Sequence, residues 1–225
     1  MRIDIITAFP EMIKSVLETS ILKIANEKSL VKYFVHNLHD FADNKFRHID
    51  DTPYGGGAGM LIKCQPVFKC IESLSSERKY DEIIYMSADG EPLKQAVANE
   101  LSLCKNLIIL AGHYKGIDQR IRDRLITREI SIGDYVLTGG ELPALVLIDA
   151  IVRLIPGVIG DAESALDDSF MDGLLEPPYY TKPAIYKGMQ VPEVLRSGNH
   201  KEINEWKQQM AMEKTQKRRP DLLNE

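Results

Sequence analysis

Cysteine is scarce in this 225-residue chain: only Cys64, Cys70 and Cys104 occur, with no C-x-x-C pair. An odd count without ligand spacing argues against a disulfide framework and against a zinc site. It reads as reduced thiols in a cytoplasmic protein. Long hydrophobic runs are lacking too, since none reaches the ~18–20 residues that span a bilayer. The first residues, MRIDIITAFPEM, do not follow the charged, apolar, small-residue succession of a secretory leader and read as a first buried strand. Neither Gly-Lys-Ser/Thr nor G-x-G-x-x-G is present, which excludes the two commonest phosphate-binding turns. There is no excess of positive charge: the formal net charge is −5. Its distribution is uneven, because residues 181–225 carry nine Lys and Arg against six Asp and Glu. The basic density peaks in EKTQKRRP, 213–220, which reads either as a solvated helix end or as a polyanion contact.

What is present is enough apolar material for a core, 44% of residues, in a length that suits one large domain or two small ones. Strand-like runs appear at RIDIITAF (2–9), VKYFVHNL (31–38), EIIYMSA (82–88), NLIILA (106–111) and EISIG (129–133). Helical patterns separate them at 11–28, 65–79, 92–104 and 116–126, with a further helix at 141–154. Alternating strands and helices, with continuously apolar strands, predict an α/β fold built on a mostly parallel sheet. Such sheets carry ligand loops at the carboxyl ends of their strands. That selects YMSADGEP, AGHYKGID and SIGDYVLTGGELP, which are expected to converge on one pocket.

The last of these, at 130–143 ISIGDYVLTGGELP, sets glycines at a strand-to-helix junction, where backbone approaches a ligand closely. Asp134 and Glu141 would repel phosphate. The expected ligand therefore has hydrogen-bonding edges, an apolar face and little negative charge.

Composition changes after IPGVIG, and two domains are expected, 1–160 and a small helical one at 174–225, joined by an acidic flexible linker at 161–173. The proline- and tyrosine-rich EPPYYTKPAIYKG leaves little room for helix. Beyond it, two helices are expected on either side of Ser197-Gly198-Asn199. Asn199 would be an N-cap and Glu202 would complete a capping box. A long polar loop, 40–63, ends in YGGGAGM. It is either a floppy connection or backbone packed against a flat ligand or another chain.

PYGGGAGM (53–60), GHYKGID (112–118), SIGDYVLTGGELPA (131–144), IPGV (155–158), DDSF (167–170), PPYYTKP (177–183) and VPEVLRSGNH (191–200) occur in this order. Together they closely resemble the bacterial tRNA (guanine-N1)-methyltransferase family over essentially the whole chain. The resemblance implies S-adenosylmethionine-dependent methylation of the guanosine just 3′ of the anticodon, with magnesium accompanying the substrate. It implies an α/β domain of the SPOUT class with a deep C-terminal trefoil knot. It further implies a cytoplasmic homodimer whose active site lies between subunits, each pocket borrowing from the partner's linker and C-terminal domain. The partner is tRNA, with neither DNA nor a membrane involved.

For the cofactor the resemblance points to Tyr85, Met86 and Ser87, to Gly112 and Tyr114, and to Ile132, Gly133, Asp134, Tyr135, Val136 and Leu137 with Gly139 and Gly140. Plain core packing is the other reading of Ile132, Val136 and Leu137. Guanine N1 carries a proton that must be removed while charge builds on O6. Asp168 matches the family's general base and Arg153 the arginine expected near O6. Without the family they would read as a linker acid and a helix-end arginine. Gly55, Gly56, Gly57 and Gly59 would let backbone approach a flipped guanine. Ser197, Asn199, His200, Lys217, Arg218 and Arg219 are candidates for phosphate contacts.

One departure stands out, since the family usually has Arg and Glu in G-R-Y-E-G where this chain has His113 and Lys115. Lys115 either removes an acidic contact from the site or faces phosphate. Two rival functions remain: a knotted methyltransferase with another RNA target, and a binding module without catalysis, which would keep the three glycine turns but need neither Asp168 nor Arg153.

Overall fold

The computed structural model describes residues 1–159, 169–170 and 173–223. Five apolar runs pair in parallel into one sheet: β1 (Arg2–Thr7), β2 (Lys32–Asn37), β5 (Glu82–Pro92), β6 (Asn106–Ala111) and β7 (Arg128–Ser131), in the order β2-β1-β6-β5-β7. The central strands bury residues on both faces, which is why they read as unbroken apolar runs rather than alternating ones. Leu107, Ile109 and Ala111 of β6 enter one core with Ile3, Ile5, Ile84 and Ile130. Ile108 and Leu110 enter the opposite core with Ile6 and Tyr85.

Helices cover each face. On the first side lie α1 (Pro10–Leu17), α2 (Ser20–Glu27), α4 (Gln95–Ser102) and α6 (Glu141–Val152), through Ile13, Leu17, Leu22, Ala25, Leu101, Leu145 and Ile148. On the other lie α3 (Cys64–Glu77) and α5 (Gln119–Leu125), through Val67, Cys70, Ile71 and Ile121. The product is an α/β fold with a parallel five-stranded sheet.

The expected single helix at 11–28 is two helices. Thr19 takes an extended conformation (φ −125°, ψ 155°), and its hydroxyl donates to the Val16 carbonyl at 2.7 Å. The change of direction lets Ile13 and Leu17 of α1 and Leu22 and Ala25 of α2 reach the same core. Strand β5 also runs further than 82–88. Its pairing with β7 jumps from Met86↔Ile130 to Glu91↔Ile130, so residues 87–90 loop out between two paired stretches. The polar 40–63 loop is partly ordered by a short ladder of β3 (Asp50–Asp51) and β4 (Leu61–Ile62).

Contacts divide the chain into two units, Met1–Gly160 and Asp161–Glu225. Within the second, β8 (Ile185–Tyr186) and β9 (Met189–Gln190) form a hairpin, and α7 (His200–Arg218) is the long helix. Asn199 caps α7 by accepting from the Glu202 N–H at 3.5 Å. The Asn199 N–H donates to Ser197 Oγ at 3.1 Å, so Ser197 takes the place expected of the Glu202 side chain in a capping box. The helix expected before Ser197 is only a single 3-10 turn, Glu193–Arg196, which begins after Pro192 and is followed, after Ser197, by Gly198 at φ +74°.

Candidate active site

The sheet order explains where a pocket can form. β6, β5 and β7 are adjacent and parallel, so their carboxyl ends lie side by side, and the segments that leave them enclose a cavity of about 680 Å³. From β5 come Tyr85, Met86, Ser87 and Asp89. Gly112, His113, Tyr114 and Lys115 follow β6, and Ile132, Gly133, Tyr135, Val136, Leu137, Gly139 and Gly140 follow β7. Pro53, Tyr54 and Gly56 of the glycine loop complete the wall.

The turn at 139–140 is tied directly to the end of β6. Gly140 N–H donates to the Gly112 carbonyl at 2.6 Å, and His113 and Gly139 form an isolated antiparallel bridge. What makes glycine necessary here is space rather than angle. Gly140 has an ordinary φ of −85°, but a Cβ there would lie 2.7 Å from Gly112 N and 3.0 Å from Ala111 Cα. A Cβ at Gly139 would fall on Glu141 Oε2 and within 2.5 Å of His113 Nδ1.

Glu141, the first residue of α6, is buried at 2% exposure. Its Oε1 accepts from the Thr7 hydroxyl at 2.8 Å, and Oε2 lies 3.5 Å from His113 Nδ1. A carboxylate at a helix N-terminus is also favoured by the helix dipole. The acid expected to repel phosphate is thus a clamp joining the ends of β1 and β6 to α6. The His113 ring packs on Phe9 at 4.5 Å between centroids.

Tyr114 sits at φ +60°, a left-handed conformation costly for a side-chain-bearing residue. It is held there because Lys115 N–H donates to the Met60 carbonyl at 3.0 Å and Gly116 N–H to the His113 carbonyl at 3.2 Å. Burial pushes the phenols of Tyr85 and Tyr114 up from their usual range. Arg122 donates to Asp89 at 2.8 Å, pairs with Glu129, and lies over the Tyr85 ring. The Ser87 hydroxyl and then Arg122 hold the Asp89 carboxyl below the usual carboxylate range.

Of the residues expected at the cofactor, all but Asp134 line the cavity; Asp134 is exposed beside it. Among the loop glycines Gly56 lines it, while Gly55, Gly57 and Gly59 lie in the same exposed loop. Arg153 follows α6, and its N–H closes that helix on the Asp149 carbonyl. Asp168 lies outside the described residues. Asn199 and His200 begin α7, with Ser197 just before it, and Lys217, Arg218 and Arg219 stand at its other end, so the two groups flank a helix of 19 residues. Sequence reasoning placed Asp89 in the YMSADGEP turn without giving it a role, and it missed Arg122, whose only signal was the arginine-rich spacing of QRIRDR, which does not disclose a partner on β5.

The family described as tRNA (Guanine-1)-methyltransferase TrmD matches the chain over residues 1–225. The chain belongs to this family. Among its relatives, the "tRNA (guanine-N(1)-)-methyltransferase" of Flavobacterium psychrophilum is 60% identical over 224 residues and that of Flavobacterium johnsoniae 60% over 225, with 100% of both chains covered in each case. The protein of the same name from Bacteroides thetaiotaomicron is 57% identical over 225 residues, again with 100% of both chains covered. The protein is accordingly an enzyme that methylates guanine N1 in tRNA. This decides against a binding module without catalysis and against a methyltransferase with an RNA target other than tRNA.

Proposed function

We propose that the methyl donor is S-adenosylmethionine and that it occupies the cavity formed by the three strand-end turns. The single observation carrying this is the convergence of the three turns on a cavity of about 680 Å³, within the size range of small-molecule sites. Its walls suit the ligand: crowded glycine backbone can approach an adenine edge, and Tyr135 and Leu137 offer apolar surface. When bound, the donor supplies a methyl group already activated on a sulfonium.

The remaining work falls on the chain's own groups. Asp168 takes the N1 proton of guanine, and Arg153 donates to O6 as charge gathers there. Both roles rest on the family motif. The target is the guanosine just 3′ of the anticodon, flipped so that its Watson–Crick edge is reached. Ser197, Asn199, His200, Lys217, Arg218 and Arg219 contact tRNA phosphates; the basic end of α7 supports this. Magnesium comes with the substrate. Among the described residues no group of three or more His, Cys, Asp or Glu side chains is clustered to hold a metal, so no step is assigned to it.

The enzyme works as a cytoplasmic homodimer with its active site at the subunit interface. In support, Phe9 and Met12 and Val16 of α1 lie exposed near exposed Leu142 and Val146 of α6. A second cavity of about 390 Å³ lies between the starts of these helices. Apolar surface of this kind calls for a cover. The C-terminal part of the first domain, 1–160, threads as a trefoil knot of the SPOUT class, joined through the linker 161–173 to a small helical domain, 174–225. The seating of Gly139 and Gly140 beside Gly112 and His113 supports the threading. Among the described residues no helix is long and apolar enough to cross a membrane.

The test is transfer from methyl-labelled S-adenosylmethionine to a tRNA with guanosine at the target position and at the preceding anticodon base. Nuclease digestion and mass spectrometry should place 1-methylguanosine 3′ of the anticodon. Label at any other nucleoside refutes the assigned target.

A further inference from the structure

The charges around the cavity are not evenly matched. Asp89 and Arg122 both line it, but they pair with each other, and Arg122 pairs again with Glu129. His113 faces Glu141. Lys115 also lines the cavity, and among the described residues no carboxylate lies within ion-pair distance of its ammonium. One unit of positive charge in the wall is left for a ligand to meet.

The glycine loop determines where that charge sits. A Cβ at Gly59 would touch Lys115 Cβ at 3.4 Å and Cδ at 3.6 Å, so the lysine stem lies along this glycine. Further on, a Cβ at Gly57 would lie 3.9 Å from Lys115 Nζ. The Met60 carbonyl fixes the lysine backbone by accepting its N–H at 3.0 Å. The stem is sheltered by bare backbone while the ammonium stays wet, the usual disposition of a long cationic side chain. It is delivered to the loop side of the cavity, near Gly57.

We propose that Lys115, presented through the side-chain-free loop 55–59, is a binding site for a backbone phosphodiester of the tRNA substrate next to the target nucleotide. This rests on the reading that the tRNA presents its guanine to this same cavity. The methyl donor has no phosphate, and its sulfonium is itself cationic, so a lysine has little to offer its reacting end. The donor does have one carboxylate, but Lys115 lies against the exposed glycine loop, on the side open to a macromolecule. A lysine is also suited to phosphate as a compact charge with freely turning donors. It positions the substrate and takes no part in the proton or methyl transfer.

The experiment compares wild type, Lys115→Gln and Lys115→Arg, all in the full chain, with matched thermal melts. Binding of an unmodified full-length tRNA transcript is measured from low to moderate salt, binding of S-adenosylmethionine by calorimetry, and kcat by transfer of labelled methyl to the same tRNA. Lys115→Gln should weaken tRNA binding about fivefold at low salt, the scale of one exposed charge contact. It should also flatten the slope of log K against log salt by about 0.7–0.9, the signature of one lost phosphate contact. Lys115→Arg should restore both, and donor affinity should stay the same in all three proteins. An unchanged slope overturns the proposal. So does a loss confined to S-adenosylmethionine binding, which would assign Lys115 to the donor carboxylate, or a loss confined to kcat, which would assign it to O6. Failure of the wild type to bind S-adenosylmethionine or to methylate the tRNA would instead count against the underlying reading of the cavity.

Discussion

Gly140 and Gly112 share a backbone hydrogen bond of 2.6 Å, and this bond seats the start of α6 against the end of β6 at the pocket. The close approach leaves no room for a side chain at Gly140, because the atoms in the way are backbone. Gly140→Ala should therefore force the turn apart. Overpacking of this kind costs about 1–3 kcal/mol, read by urea denaturation, with donor affinity falling by roughly tenfold or more in calorimetry. Gly188→Ala is the control, since a Cβ there meets nothing within 4 Å although φ is +80°. It should cost only the local strain of about 1 kcal/mol and leave donor affinity intact.

Thr7 and Glu141 lie 134 positions apart in sequence, and their buried hydrogen bond clamps β1 to α6. Thr7→Val keeps the volume but leaves unmatched both the Glu141 carboxylate oxygen and the Phe9 N–H, which donates to the same hydroxyl at 2.9 Å. Stability should fall by about 1–3 kcal/mol, measured as a shift of the denaturation midpoint at constant slope. No change would mean that water or His113 replaces the hydroxyl at no cost.

Asp4 gives a signed pH dependence. Burial pushes its carboxyl up, but hydrogen bonds from Arg2, His36 and Tyr80 outweigh this and hold it at about 2, against 3.8 for an ordinary Asp. A folded pKa below the unfolded one means stabilisation that is complete above about pH 4 and is lost as pH falls through 2, worth about 2 kcal/mol. Between pH 5 and pH 2, wild type should lose about that much more stability than Asp4→Asn. Parallel losses in the two proteins would show that Asp4 is not the group responsible.

Asp168→Asn tests the assigned base. Removing a general base costs typically 10²–10⁴-fold, so kcat should fall by about a hundredfold or more while donor affinity holds. Full activity in this variant would move the proton to another acceptor.

The sequence made some of this readable and hid the rest for physical reasons. Runs such as NLIILA and EIIYMSA announced buried parallel strands because both of their faces are covered. The three pocket turns were legible because each places glycine at or near a strand end. Sheet order was not, although it alone makes the ends of β5, β6 and β7 neighbours. The break at Thr19 was hidden because hydrophobic periodicity continues on both sides of it. Glu141 read as an acid turned toward the ligand because nothing local discloses that Thr7 waits 134 residues earlier. Gly139 and Gly140 suggested close approach of backbone to a ligand, yet Gly140 answers crowding by the backbone of Ala111 and Gly112, and Gly139 crowding by Glu141 and His113.

The most direct test of the central claim is amide hydrogen exchange with and without saturating S-adenosylmethionine. The donor should slow exchange together at three places: 85–89, 112–116 and 131–140. Protection confined to one of them, or appearing only elsewhere in the chain, would contradict a donor site built from all three strand ends.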